Sequence, residues 1–126
     1  MRADCHMHTY FSGDSEAKPE DMVLAAIDKG LEAICFTDHE DIDYFCDDIE
    51  FVFDPETYFK ELGALKEKYK EKLDIRIGVE FGLQPHLAEK AKAFTAANPY
   101  DFVIGSMHVV GGKDPYYPEF FEGISD

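Results

Sequence analysis

Four of the five histidines in this 126-residue chain stand where a strand-like apolar run stops, and one glutamate does the same: His6 and His8, His39, Glu80 and His108. Imidazole suits zinc, manganese and iron alike, and carboxylate oxygens complete the coordination of such cations. In α/β folds the carboxyl ends of parallel strands form one rim where reactive groups collect. The pattern predicts a shared cation cluster on that rim, of the kind a metallohydrolase uses.

The sharpest local signal is His6-x-His8. Alternate residues of a strand face one side, so both rings meet one point, whereas an isolated buried histidine is more often a satisfied core residue. Asp38-His39 reads equally well as a ligand pair or as a turn or helix-capping pair. Glu80 ends the apolar run Ile75 to Val79 and is flanked by Gly78 and Gly82. A carboxylate there is costly unless it is paired, bound to metal or able to reach solvent. Its two oxygens suit it to bridging two cations. His108, after Ser106-Met107, follows the same logic. Asp14, within Ser12-Gly13-Asp14-Ser15, reads on its own as a turn residue making local bonds. His86, after Pro85, falls off the pattern and reads as surface, and Tyr116 and Tyr117 read as core or rim packing.

The elements that must position these groups alternate strand and helix. Residues 2–8 form a first strand. Pro19, followed by Glu20 and Asp21, opens a helix with Val23, Ala26 and Ile27 inward, and Gly30 marks its end. Ala33 to Thr37 is a nearly continuous apolar run, as in a parallel strand covered on both faces. Asp54 as N-cap and Pro55 at the first helical position start a second helix with the stripe Tyr58, Leu62, Leu65 and Tyr69. Ile75 to Val79 is a third strand. Pro85 starts a third helix with Leu87, Ala88, Ala91 and Phe94 inward, stopped by Asn98-Pro99. Phe102 to Ser106 is a fourth strand. Strands alternating with helices imply βαβ units and a parallel sheet. After His108 the chain is punctuated by Gly111-Gly112, Pro115 and Pro118, with room for a short helical turn from Pro118 to Glu122.

The length sets one domain at most, short of the about 250 residues of a complete α/β barrel. Four strands cannot close a barrel, so a sheet edge is expected to be open unless something covers it, a second copy of the chain being one candidate. With 45% hydrophobic and 31% charged residues the chain is not of a disordered class. Asp plus Glu number 27 against 12 Lys plus Arg, a formal charge of −15 that disfavours nucleic acid and anionic membrane surfaces and favours divalent cations. Cys5, Cys35 and Cys46 are odd in number and lack a C-x-x-C, which fits reduced thiols in a cytoplasmic protein. No apolar run approaches a membrane span, and the N-terminus does not read as a signal peptide.

Taken together, Asp4-x-His6-x-His8, Ser12-Gly13-Asp14, Thr37-Asp38-His39, Gly78-Val79-Glu80 and Gly105-Ser106-Met107-His108 resemble the PHP (polymerase and histidinol phosphatase) family, most closely its histidinol-phosphate phosphatases, from residue 2 to about residue 122. The resemblance implies an α/β fold: the N-terminal half, about four βα units with parallel strands, of a distorted TIM-like (βα)7 barrel. It also implies up to three divalent metal ions (Zn, Mn or Fe). By position, His6 and His8 would hold one, with Glu80 bridging it to a second served by His108. Asp14 and His39 would hold a third, Asp14 standing where some relatives have histidine. The family's later Asp-x-His, a further histidine and its phosphate-binding basic residues have no counterpart: no histidine follows His108, and Lys113 is the only basic residue after it. The chain is therefore expected to be an N-terminal portion of a longer protein.

The activity implied is hydrolysis of L-histidinol phosphate, a small phosphate ester of histidine biosynthesis, by metal-bound hydroxide with no side-chain nucleophile. Cys5, alternating away from His6 and His8, is expected to pack, and the acidic, aromatic segment from Tyr44 to Phe53 is expected to form a lid. Two alternatives stand beside this reading. One is another PHP phosphoesterase, a nucleotide phosphatase or a nuclease, though a nuclease calls for a basic groove that the charge disfavours. The other is a non-catalytic truncated domain that binds metal or associates with itself through its open edge. Because each predicted metal lacks a ligand here, the isolated chain is expected to be inactive or poorly active.

Overall fold

The chain is described by a computed structural model covering residues 1–42, 52–110, 113, 118, 122 and 123. Cys46, Tyr116, Tyr117 and most of the expected lid and of the Pro118–Glu122 turn lie outside the described residues. In chain order the elements are β1 (Ala3–Met7), α1 (Pro19–Asp28), β2 (Ala33–Glu40), α2 (Pro55–Lys68), β3 (Asp74–Gly82), a 3-10 turn (Pro85–Leu87), α3 (Ala88–Ala97) and β4 (Phe102–Ser106). The strands are parallel and lie in the order β1-β2-β3-β4.

Local chemistry sets the helix boundaries. Pro19 occupies the start of α1, where its missing N–H costs nothing, and Gly30 ends the turn after it at φ 73, a left-handed conformation that L side chains adopt only with strain. The Asp54 carboxylate accepts from the Thr57 amide (3.2 Å) and caps α2, while Lys66 and Lys68 suit its negative end.

Helical periodicity turns Val23 and Ala26 of α1 and Tyr58, Leu62 and Leu65 of α2 onto one sheet face. There they bury Ile34 and Phe36 of β2 with Ile75, Ile77 and Val79 of β3. Full burial of such side chains is worth about 1.5–3 kcal/mol each, which fixes the register of the central strands. The period of two then sends Thr37, His39, Gly78 and Glu80 to the opposite face. Tyr58 locks the helix to the sheet: its hydroxyl donates to the Gly78 carbonyl (3.0 Å) and accepts from the Asp38 amide (3.4 Å).

Several expectations are corrected. β2 and β3 do not stop with their apolar runs but continue to Glu40 and Gly82, pairing Asp38 with Val79, His39 with Glu80 and Glu40 with Phe81. Asp38-His39 is thus paired strand, not a turn. Ala88 is exposed rather than inward, because Pro85–Leu87 winds as a 3-10 turn and shifts the helical phase. Leu87 is buried and Phe94 packs against the core as expected. Cys5 is exposed rather than packed: β1 is an outer strand, so alternation away from the histidines does not bury it. His86 is exposed.

Candidate metal centre

Strand pairing alone brings His39 and Glu80 side by side, as Cα partners on β2 and β3. Glu80 is the centre of the constellation, with its side chain only 5% exposed. Its Oε2 accepts from His6 Nε2 and from His8 Nε2, both at 2.8 Å. Its Oε1 accepts from His108 Nε2 at 3.0 Å and from the Ser106 hydroxyl at 2.8 Å. One carboxylate therefore meets imidazoles from both outer edges of the sheet. His6 and His8 reach the same oxygen across a register shift between Asp4 and Met7, with His6 remaining 55% exposed in its side chain.

Asp14 comes from the loop after β1. Its Oδ2 lies 3.1 Å from His39 Nε2 and 3.6 Å from His8 Nδ1. That loop is fastened by Asp38, whose buried carboxylate accepts from the Thr9 hydroxyl (2.9 Å) and the Ser12 hydroxyl (2.8 Å), while the Ser12 oxygen accepts from the His39 amide (2.9 Å). Burial pushes the Asp38 carboxyl up, against these hydrogen bonds. Glu40, raised to about 7 by burial, accepts from the Phe53 amide (3.1 Å) and ties the end of β2 to the approach to α2.

Asp41 was not singled out by the sequence pattern. Its Oδ1 accepts from His108 Nδ1 (2.6 Å) and its Oδ2 from His39 Nδ1 (3.1 Å). It sits in an acidic run that looks like a solvated loop, yet it falls two residues after His39, and that spacing was the available signal.

Burial raises the Glu80 and Asp41 carboxyls, but the neighbouring imidazoles (with the Ser106 hydroxyl for Glu80) outweigh it and hold both below the usual range. In return, Asp41 and then Glu80 lift His108 to about 10 against the effect of burial. His8 is raised as well, chiefly by Glu80.

Among the described residues, three sets of ligand atoms lie within 4.8 Å of one another: His6, His8 and Glu80; His39, Glu80 and His108; His8, Asp14 and His39. Two ligands of one tetrahedral zinc ion, each bonded at about 2.0–2.2 Å, stand roughly 3.3–3.6 Å apart. The nitrogen–oxygen separations of 2.8–3.1 Å at Glu80 and Asp14 are hydrogen-bond distances, a few tenths of an ångström shorter than that spacing, and a bound ion would open them by that amount. The donor set is imidazole and carboxylate throughout, so it fits divalent cations. All six predicted site residues, His6, His8, Asp14, His39, Glu80 and His108, come together on this rim.

Comparison with known proteins gives the constellation a context. The PHP domain family matches residues 4–125. The histidinol-phosphatase of Lactococcus lactis is 37% identical over 115 residues, 91% of this chain and 42% of that protein. A probable histidinol-phosphatase of Clostridium acetobutylicum is 37% identical over 116 residues, 92% of this chain and 43% of that protein. The crystal structure of Lactococcus lactis histidinol phosphate phosphatase, complexed with zinc, L-histidinol and phosphate, matches with a TM-score of 0.91 at 38% identity, covering 98% of this chain and 47% of that one. The chain thus spans under half the length of these relatives, and its four parallel strands with their helices form half of a TIM-like barrel. On the family match and the identity together, this chain belongs to the PHP family.

Proposed function

We propose that the protein is a metal-dependent phosphomonoesterase acting on L-histidinol phosphate, with zinc as its metal. The observation that carries this reading is Glu80, whose two oxygens each meet imidazoles, His6 and His8 on one and His108 on the other. A buried carboxylate so placed is suited to bridging two cations. His6 and His8 would hold one with Glu80, His108 a second with Glu80, and Asp14 with His39 a third. Divalent cations bound there supply Lewis acidity, lowering the pKa of water and offsetting charge on the phosphoryl oxygens. The chain itself contributes the ligand geometry: Ser106 orients Glu80, and Asp38 with Ser12 holds the loop that carries Asp14. A small ester with cationic groups suits a chain of charge −15 better than a polyanion does. Free Cys5 and Cys35 support a reducing compartment, the cytoplasm.

The test is elemental analysis of the purified chain, followed by phosphate release from L-histidinol phosphate, a nucleoside monophosphate and a short DNA strand. Bound divalent metal with release from the first substrate supports the reading. Metal with preference for a nucleotide or DNA transfers the chain to another PHP phosphoesterase class. Metal without release from any substrate leaves a non-catalytic metal-binding domain.

A further inference from the structure

We infer that Asp41 is a positioning residue that fixes the tautomer of two metal ligands at once, and that Gly82 exists to leave room for it; this rests on the metal reading above. The two oxygens of one buried carboxylate are divided between two rings: Oδ1 takes the Nδ1–H of His108, and Oδ2 the Nδ1–H of His39. With a cation on the rim, each ring then keeps its proton on Nδ1 and offers the lone pair of Nε2, His108 Nε2 on the side of Glu80 and His39 Nε2 on the side of Asp14, the cation taking the place of the Nε2 proton that Glu80 accepts from His108 in the structure. A ligating nitrogen must offer its lone pair, and a hydrogen bond at the opposite nitrogen decides which one does. His39 and His108 serve different cations in the proposed site, so a single side chain off the rim couples two metal positions.

Gly82 explains why the carboxylate can lie where it does. A Cβ built on Gly82 would fall 1.7 Å from Asp41 Oδ1 and 2.7 Å from its Cγ. Any side chain there displaces the carboxylate from both rings. Gly82 closes β3 just beyond the Glu40–Phe81 pair, so the bare backbone at that point is the floor on which Asp41 rests.

The first test needs no substitution. Long-range 1H–15N spectra of the zinc-loaded protein report which ring nitrogen carries the proton. Nδ1–H on both His39 and His108 is expected, and Nε2–H on either overturns the assignment. A wild-type chain that takes up no zinc overturns this inference together with the metal reading, whereas zinc uptake with the wrong tautomer overturns this inference alone.

Asp41→Asn then supplies the contrast. An amide has one carbonyl oxygen and one NH2 group, so it cannot accept from both rings, and the ring facing the NH2 must carry its proton on Nε2. Zinc affinity, measured by competition with a chromophoric chelator, is expected to fall about 10- to 100-fold, with one tautomer switched. A folded D41N with unchanged affinity and tautomers overturns the proposal. Gly82→Ala is expected to lose affinity similarly, and the double variant no more than the worse single one; an additive loss overturns the claim that Gly82 acts through Asp41.

Discussion

Glu80 stays ionised in a place that would otherwise neutralise it, because three imidazoles and a hydroxyl surround it. Glu80→Gln keeps the shape but removes the charge and one acceptor oxygen, so it is expected to lower metal content at two of the three ligand sets, leaving the Asp14–His39 set. Elemental analysis checks this, and wild-type stoichiometry in the variant sinks the bridging role. The same residues set a pH dependence. In protein stripped by chelator, His108 has a folded pKa of about 10 against 6.5 ordinarily. Its contribution to stability is fully present below about pH 6.5 and is lost as the pH rises towards about 10. Asp41 and Glu80, both lowered, contribute above their ordinary carboxyl range and lose that contribution in acid. Glu40, raised to about 7, takes stability away as the pH rises from about 4.5 to about 7, so stripped protein is expected to be most stable near about pH 5 and weaker in alkali. Zinc competes with protons for the same nitrogens, so its affinity rises with pH over the range where the stripped fold weakens. Thermal midpoints with and without zinc check both signs; equal stability of stripped protein at about pH 6 and about pH 9 contradicts the first.

At the scale of elements, α2 aims the site, because Tyr58 bonds the backbone of both central strands just below His39 and Glu80. Tyr58→Phe leaves the buried Gly78 carbonyl without that donor and is expected to cost about 1–3 kcal/mol in denaturant unfolding. Removing the Asp54 cap by Asp54→Ala is expected to cost about 1 kcal/mol, with no change in zinc affinity. How legible these elements are follows from what builds them. The four strands and the inward stripes of α1 and α2 could be read because apolar period and capping chemistry are local. The last three residues of β2 could not, since Asp38, His39 and Glu40 look like a loop until partners on other elements bury them. Asp41 was missed for the same reason: only the fold places His39 and His108 on its two oxygens. The six rim residues were legible because each ends a recognisable run or belongs to a family motif. Their pairings depend on register and are not written in any one segment.

Over the whole molecule, a charge of −15 concentrates cations and opposes compaction. Zinc at about 100 times its dissociation constant is expected to add about 2.7 kcal/mol to unfolding free energy, and chelation to remove it; an unshifted thermal midpoint counts against the site. Among the described residues β1 and β4 are the outer strands, with Phe102 47% exposed. A second copy is our proposed cover for them. Screening the charge with salt is then expected to raise the sedimentation mass with concentration, and a monomer mass at every salt level refutes it.

Those outer strands also hold the two ends of the Glu80 contacts, since His6 belongs to β1, His8 directly follows it, and His108 lies just past β4. An ion held by Glu80 with ligands from both margins would be released faster whenever one of them peels back. The speed at which a chelator extracts zinc is thus a clock for strand fraying, and amide exchange over Ala3–Met7 or Phe102–Ser106 is expected to keep the same time.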